Sequence, residues 1–181
     1  MTAVITRVSR RLAGTALLVA MLGACSSTAP TDRNAMPPVK SKADAQAWAR
    51  QITEHMARTA GIEIDPTTID AFFSPCTGRN GETASDDRYI LMYTVKSSVP
   101  RAQHPEAVRK VRDMLVGEGL DVTGYRESVD GKPDALVDAF HPNSRYSATA
   151  STSGGEDRMY LSVITPCLLP PPASVSPTGT S

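Results

Sequence analysis

This chain of 181 residues has few aromatic side chains, no cluster of basic residues and no long apolar run. Aromatic residues make up 5% of the chain, which does not indicate a platform for stacking on carbohydrate rings. The 19 basic and 19 acidic residues cancel, and no basic patch of the kind that binds nucleic acid is present. The apolar run at 12–20 is much shorter than the roughly 20 residues that a membrane-spanning helix needs. These absences argue against nucleic-acid partners and against a helix that stays in the membrane.

The sequence also lacks the motifs of common enzyme classes. Neither G-x-S-x-G nor S-x-x-K occurs, so no nucleophilic serine is indicated. Zinc, phosphate and calcium motifs are equally missing. The three histidines, His55, His104 and His141, belong to three different predicted elements and show no ligand spacing. We therefore predict no catalytic residues, no metal and no cofactor, and favour a protein that is not an enzyme.

The most informative feature that is present lies at the N-terminus. Arg7, Arg10 and Arg11 precede the apolar run, and two small residues then lead into Cys25. That order is typical of a secretory signal. The stretch Leu22-Gly23-Ala24-Cys25 resembles the lipobox of bacterial lipoprotein precursors, a resemblance confined to about the first 25 residues. It implies that Cys25 receives a thioether-linked diacylglycerol and becomes the first mature residue; the alternative is an ordinary cleaved signal with an incidental thiol.

The composition predicts how the rest of the chain is divided. We expect a signal peptide at 1–24, a lipidated Ser/Thr/Pro-rich tether at 25–41, one domain at 42–169 and a disordered Pro/Ser/Thr tail at 170–181. Without the three arginines of the leader, 16 basic residues face 19 acidic ones, so attachment to the membrane would depend on acyl chains rather than on charge. The arrangement loosely resembles small actinobacterial lipoproteins, and this likeness implies no activity.

The remaining cysteines form an even pair once Cys25 is assigned to lipid. Cys76 and Cys167 would then lie in an exported domain, where a disulfide is the natural interpretation. The alternative is a redox or metal site. Neither cysteine has a second cysteine or a histidine at ligand spacing, so we favour the disulfide.

Periodicity predicts the order of the secondary structure. A first helix follows Ser41 and ends at Gly61, and a second begins near Pro105 and ends at Gly117 or Gly119. Between them we expect mostly loop, with a short extended piece at 69–73, and then a central strand at 88–99. Two hairpins follow, pairing 122–129 with 135–140 and 145–152 with 158–165. This order predicts an α+β two-layer domain, in which two helices cover one face of a mainly antiparallel sheet of about five strands with one disulfide.

Two further groups of residues are candidate sites. The acidic pairs Asp86-Asp87 and Glu156-Asp157 would bind Ca²⁺ only if the strands after them began side by side; we favour solvated turns paired with Arg88 and Arg158. Five tyrosines fall on predicted strands or at their starts, where we expect them to fill half-buried surface under a helix rather than to bind a glycan or lipid headgroup. They are Tyr89, Tyr93, Tyr125, Tyr146 and Tyr160.

These features favour a membrane-anchored lipoprotein on the extracytoplasmic face of the cell membrane. It would bind a protein or other component of the envelope as a non-enzymatic accessory module. The alternatives are a tethered carrier of a small molecule or lipid, held between sheet and helices, and, less favoured, a hydrolase of envelope polymers.

Overall fold

The computed structural model describes residues 36–78, 80–127, 134–153 and 156–172. The first helix, α1, spans Lys42–Ala60. The Ser41 hydroxyl caps it by accepting a 3.1 Å hydrogen bond from the backbone N–H of Asp44. Gly61 ends it in the left-handed conformation, at φ 73°, where a residue with a Cβ would be strained. The predicted beginning and end of this helix are both confirmed.

The sheet has six antiparallel strands in the spatial order β1-β2-β6-β5-β4-β3. The last four strands form the two predicted hairpins, and β2 extends this meander by pairing with β6. The α+β class is therefore confirmed, with six strands where about five were expected. The turn predicted at Asp130-Gly131 lies outside the described residues. The strands are β1 at Asp65–Pro75, β2 at Tyr89–Ser98, β3 at Asp121–Arg126, β4 at Leu136–Phe140, β5 at Ser147–Thr152 and β6 at Arg158–Ile164.

Strand β1 corrects the expectation of a loop with a short extended piece. It runs for 11 residues and pairs with β2 along its length, except for an irregularity between Asp65 and Asp70. That irregularity breaks the alternation of apolar and polar residues, which is the only local signal of a strand. As a result the first half of β1 looks like loop in the sequence.

Both helices lie on the same face of the sheet. Helix α2, His104–Gly117, has Pro105 in its first turn, as predicted, and packs over β3, β4 and β5. Helix α1 packs over β2 and β6 and contacts α2. The buried side chains of the central strands alternate along each strand and meet this helical layer, as in Leu91, Val95 and Leu161. The core therefore lies between the helices and one side of the sheet.

The two ends of the domain meet beside the start of β2. The disulfide Cys76–Cys167 joins the segment after β1 to the segment after β6, and these strands flank β2 on its two sides. Leu169 exchanges backbone hydrogen bonds of 2.9 Å with Pro38 and Lys40, and the Tyr89 hydroxyl donates to the Lys40 carbonyl at 2.8 Å. The last residues of the predicted tether are thus bonded to this end of the sheet.

Candidate functional site

The face of the sheet opposite the helices is covered by neither of the two helices, α1 and α2. On each strand the side chains that alternate with the core residues point to this side, which we call the open face. The register places them in rows across neighbouring strands. Its members are Asp65, Asp70, Phe72 and Ser74 of β1; Ile90, Met92, Thr94, Lys96 and Ser98 of β2; Arg158, Tyr160, Ser162 and Ile164 of β6; Ser147, Thr149 and Ser151 of β5; Leu136, Asp138 and Phe140 of β4; and Asp121, Gly124 and Arg126 of β3.

One row of the open face is apolar. Phe72 lies opposite Met92, and Met92 lies opposite Ile164, so the three side chains are contiguous across β1, β2 and β6. Their exposed fractions are 57%, 44% and 39%. The row continues through Ser147 to Phe140 on β4. It lies near the end of the sheet that carries the disulfide and the Pro38–Lys40 segment.

The next row is made of hydroxyls and carboxylates. Thr94 and Ser162 share a hydrogen bond of 2.9 Å between their hydroxyl oxygens. Thr149 donates from its hydroxyl to Asp138 Oδ1 at 2.7 Å. Asp70, opposite Thr94, completes the row on the outer strand. These bonds connect neighbouring strands and hold the polar row in a defined arrangement.

A third row brings in positive charge. Lys96 lies opposite Tyr160, with its ammonium 5.7 Å from the centre of the ring. Arg126 lies opposite Leu136 on the outer strand β3, and its Nε donates to the Asp134 carbonyl at 2.6 Å. By the same register Asp65 lies opposite Lys96, Asp121 lies opposite Phe140, and Arg158 lies opposite Ser98. The open face therefore carries four acidic and three basic side chains together with its apolar ones.

A pocket of about 370 Å³ lies at the end of the sheet beside α1. Its wall includes Phe73 and Tyr89, and the ammonium of Lys42 stands 5.4 and 5.8 Å from the centres of these rings. Burial raises the pKa of the Tyr89 hydroxyl, which leaves it protonated at neutral pH. Asp86 and Arg88 close one side as an ion pair of 2.5 Å. The pocket opens to solvent and does not lie between the sheet and the helices.

A charged cluster links α2 to the outer strand β3. Arg109 donates two hydrogen bonds, of 3.0 and 2.7 Å, to the carboxylate of Glu127, and Tyr125 donates a third. The guanidinium of Arg112 stands 4.5 Å from the centre of the Tyr125 ring. These donors lower the pKa of Glu127 to about 2. Every group in the cluster has a partner, so its effect is to fix the outer strand against the helix.

The histidines predicted to be scattered do not meet. His55 Nε2 lies 2.8 Å from a carboxylate oxygen of Glu118, between the two helices. His104 is buried, with Nε2 2.8 Å from the Val99 carbonyl. His141 accepts backbone hydrogen bonds through Nδ1 in the turn before β5. In the parts of the chain that the structure describes, no group of three or more histidine, cysteine or acidic side chains could hold a metal ion.

The acidic pairs also lie apart. Because β2 and β6 are antiparallel, the start of β6 lies beside the end of β2, and the two pairs stand at opposite ends of the sheet. Asp86 forms an ion pair with Arg88, and a carboxylate oxygen of Glu156 lies 3.3 Å from the guanidinium of Arg158. These are the ion pairs expected if both acidic pairs lie in solvated turns. No joint carboxylate site forms from them.

The tyrosines divide between the two faces. Tyr89, Tyr93 and Tyr146 are buried on the side of the helices, as predicted, and the edge of the Trp48 ring contacts Tyr146 at 5.0 Å between centres. Tyr160 instead belongs to the open face.

The sequence did show that β2 is apolar on both sides. It did not show which other side chains stand beside Met92, because that depends on strand order.

Cys25 and the signal predicted around it lie outside the described residues. Among the helices that the structure describes, none is both long and apolar enough to span a membrane. No protein-family model, curated protein or solved structure matches this chain. The open face, with its row of apolar side chains, is therefore the candidate site that the geometry itself supplies.

Proposed function

We propose that this chain is a lipid-anchored module on the extracytoplasmic face of the bacterial cell membrane that binds an envelope protein through the open face of its sheet. Cys25 carries the diacylglycerol in this proposal, and the chain itself catalyses no reaction. The observation that supports it most is the contiguous apolar row of Phe72, Met92 and Ile164.

Single exposed apolar side chains are common and need no explanation, whereas a contiguous apolar patch often marks a functional surface. Antiparallel sheets with one solvated face usually present polar residues there. Covering apolar surface stabilises a complex by about 25 cal/mol per Å² before the costs of association are subtracted. The row of three therefore favours a bound partner over permanent contact with water.

Two features support the proposed location. The Cys76–Cys167 disulfide is of a kind that persists in oxidising compartments, and the lipobox-like stretch ends at Cys25. The 12 residues between Cys25 and Pro38 have the composition of a flexible linker.

The pocket beside α1 supports a second candidate, a tethered carrier of a small molecule. Its volume of about 370 Å³ falls within the range of small-molecule sites, roughly 300–1,000 Å³. Lys42 and two aromatic rings would suit an anionic ligand with an apolar part. Native mass spectrometry of the purified chain would then detect a bound molecule that Lys42→Glu releases.

The proposed function is tested by photo-crosslinking in cells. A photoreactive phenylalanine replaces Phe72 on the open face, and a matched control replaces Val116, which is 54% exposed on α2. We expect a discrete crosslinked product from position 72 and none from position 116. In a Cys25→Ser variant the protein should leave the membrane fraction or remain as uncleaved precursor.

Equal crosslinking from both positions would contradict a role for the open face. Membrane retention of mature Cys25→Ser protein would contradict the lipid anchor. Each half of the proposal can therefore fail independently of the other.

A further inference from the structure

We infer that the partner of the open face is a second copy of this chain, packed face to face around a two-fold axis parallel to the strands. The axis would pass between β5 and β6, which are the two central strands of the sheet. This inference deepens the proposed function, since it concerns the same surface and rests on that surface being covered. Three properties of the open face point to this arrangement.

The first property is the number of large apolar or aromatic side chains on the open face. Besides the row of three, Ile90, Tyr160, Leu136 and Phe140 point to it and are partly buried. Two sheets that pack face to face bury such side chains between layers about 10 Å apart. The open face therefore carries enough large apolar and aromatic side chains to pack against a second sheet, in addition to the polar residues of a solvated face.

The second property is a match of large to small side chains across the proposed axis. On the open face β5 presents only Ser147, Thr149 and Ser151, while β6 beside it presents Ile164 and Tyr160. A two-fold axis between these strands lays β6 of one copy over β5 of the other. Ile164 then faces Ser147, and Tyr160 faces Ser151, in both halves of the interface. Large side chains fill the space left by small ones, which good packing requires.

The third property is the placement of charge, which distinguishes between possible axes. With the axis parallel to the strands, β2 of one copy faces β4 of the other, so Lys96 lies over Leu136 and one row from Asp138. In the same way β1 faces β3, and Asp70 lies over Gly124 and one row from Arg126. An axis across the strands through the row of Asp70 and Asp138 would instead set Asp70 against Asp70 and Asp138 against Asp138. Such juxtaposition of like charges is strongly unfavourable.

The position of the tether agrees with this axis. A two-fold axis parallel to the strands keeps the same end of both sheets pointing in the same direction. The Pro38–Lys40 segments of the two copies therefore emerge from one end of the pair. One membrane could then hold both copies, whereas an axis across the strands would place the two Pro38–Lys40 segments at opposite ends of the pair.

The area of the open face is sufficient for a specific dimer of modest size. Six strands about 4.8 Å apart, each with about six residues rising about 3.3 Å, cover roughly 570 Å². Two such faces bury about 1,140 Å² in total, which exceeds the roughly 1,000 Å² expected of a biological interface and lies just under the ordinary range. Attachment to one membrane would favour the pair further, because it raises the effective concentration of each copy for the other.

The inference is tested by chemical crosslinking. The full chain carrying Ile164→Cys is treated, in isolated membranes, with a short bismaleimide that joins two nearby cysteines. In the proposed pair the two copies of residue 164 lie about 11 Å apart, from one strand spacing and one sheet spacing. We expect a product of twice the chain mass. Val116→Cys and the unmodified chain serve as controls, and the latter reports any reaction through Cys25.

A charge reversal tests the orientation. Lys96→Glu should lower the yield of the Ile164→Cys product several-fold, and adding Asp138→Lys should restore it. Within one chain these two residues are three strand spacings and one row apart, about 16 Å, so restoration requires contact between copies. Circular dichroism of each variant confirms that the fold is retained.

Three results would overturn the inference. One is full labelling of Ile164→Cys by a simple maleimide with no product of twice the mass. Another is a crosslinked product of a different mass, which would leave the proposed function standing with another partner. The third is failure of Asp138→Lys to restore the yield.

Discussion

Opening the disulfide should remove a large part of the stability of this domain. Cys76 and Cys167 are 91 residues apart, and the double variant Cys76→Ala/Cys167→Ala frees that loop in the unfolded chain. In the chain-entropy treatment, closing a loop of about 90 residues stabilises the fold by about 4.6 kcal/mol at 25 °C. Since whole domains are stable by roughly 5–15 kcal/mol, the loss would be a third or more of the total. The melting temperature should fall by roughly 10–20 °C.

Urea unfolding of the full chain, followed by circular dichroism, measures this loss. Cys25→Ser should be present in both proteins, so that no free thiol exchanges with the disulfide. We expect a lower free energy of unfolding and a steeper dependence on urea, because the unfolded chain without the crosslink exposes more surface. A loss below about 1 kcal/mol would refute the reasoning, since it would mean that the crosslink does not restrict the unfolded chain.

Two further outcomes are expected. Leu161→Ala, in the core, should lower the free energy of unfolding by about 2–5 kcal/mol. Met92→Ala on the open face should change it by less than about 0.5 kcal/mol in urea titrations at concentrations where the chain is monomeric, and similar losses would contradict the assignment of the faces. The pKa of Glu127 in the folded state is about 2, below its ordinary value of 4.5. Its ionised carboxylate therefore contributes to the free energy of unfolding above pH 4.5, and this contribution is lost as the pH falls to about 2. The stability difference between the unmodified chain and Glu127→Gln should therefore shrink over that window, and a constant difference would exclude this linkage.

Several parts of the fold could be predicted from local patterns. The helix from Lys42 to Ala60 was recognisable because Ser41 and Gly61 mark its ends, and both act through bonds within a few residues. The second hairpin was recognisable because two alternating segments flank a short polar loop. The disulfide followed from the parity of the cysteines once Cys25 was set aside.

Other parts could not be predicted in this way. Strand β1 was predicted only in part, at 69–73, because an irregularity interrupts its alternation and its hydrogen bonds are made with β2, beyond a loop. The pairing of β2 with β6 joins residues far apart in sequence, as in the 2.9 Å bond from the Leu91 N–H to the Thr165 hydroxyl. The sequence predicted an apolar strand at 88–99, but strand order decided that Met92 lies between Phe72 and Ile164.

The sequence by itself determined the types of the main elements, their approximate limits and the expectation of an anchor at Cys25. These depend on residue chemistry and on periods of two or 3.6 residues, which are local properties. Only the tertiary structure decided which strands are neighbours, and therefore which side chains form the open face. Side chains on separate strands become contiguous through backbone pairing across long loops, and the pattern of a single strand carries no record of its neighbour.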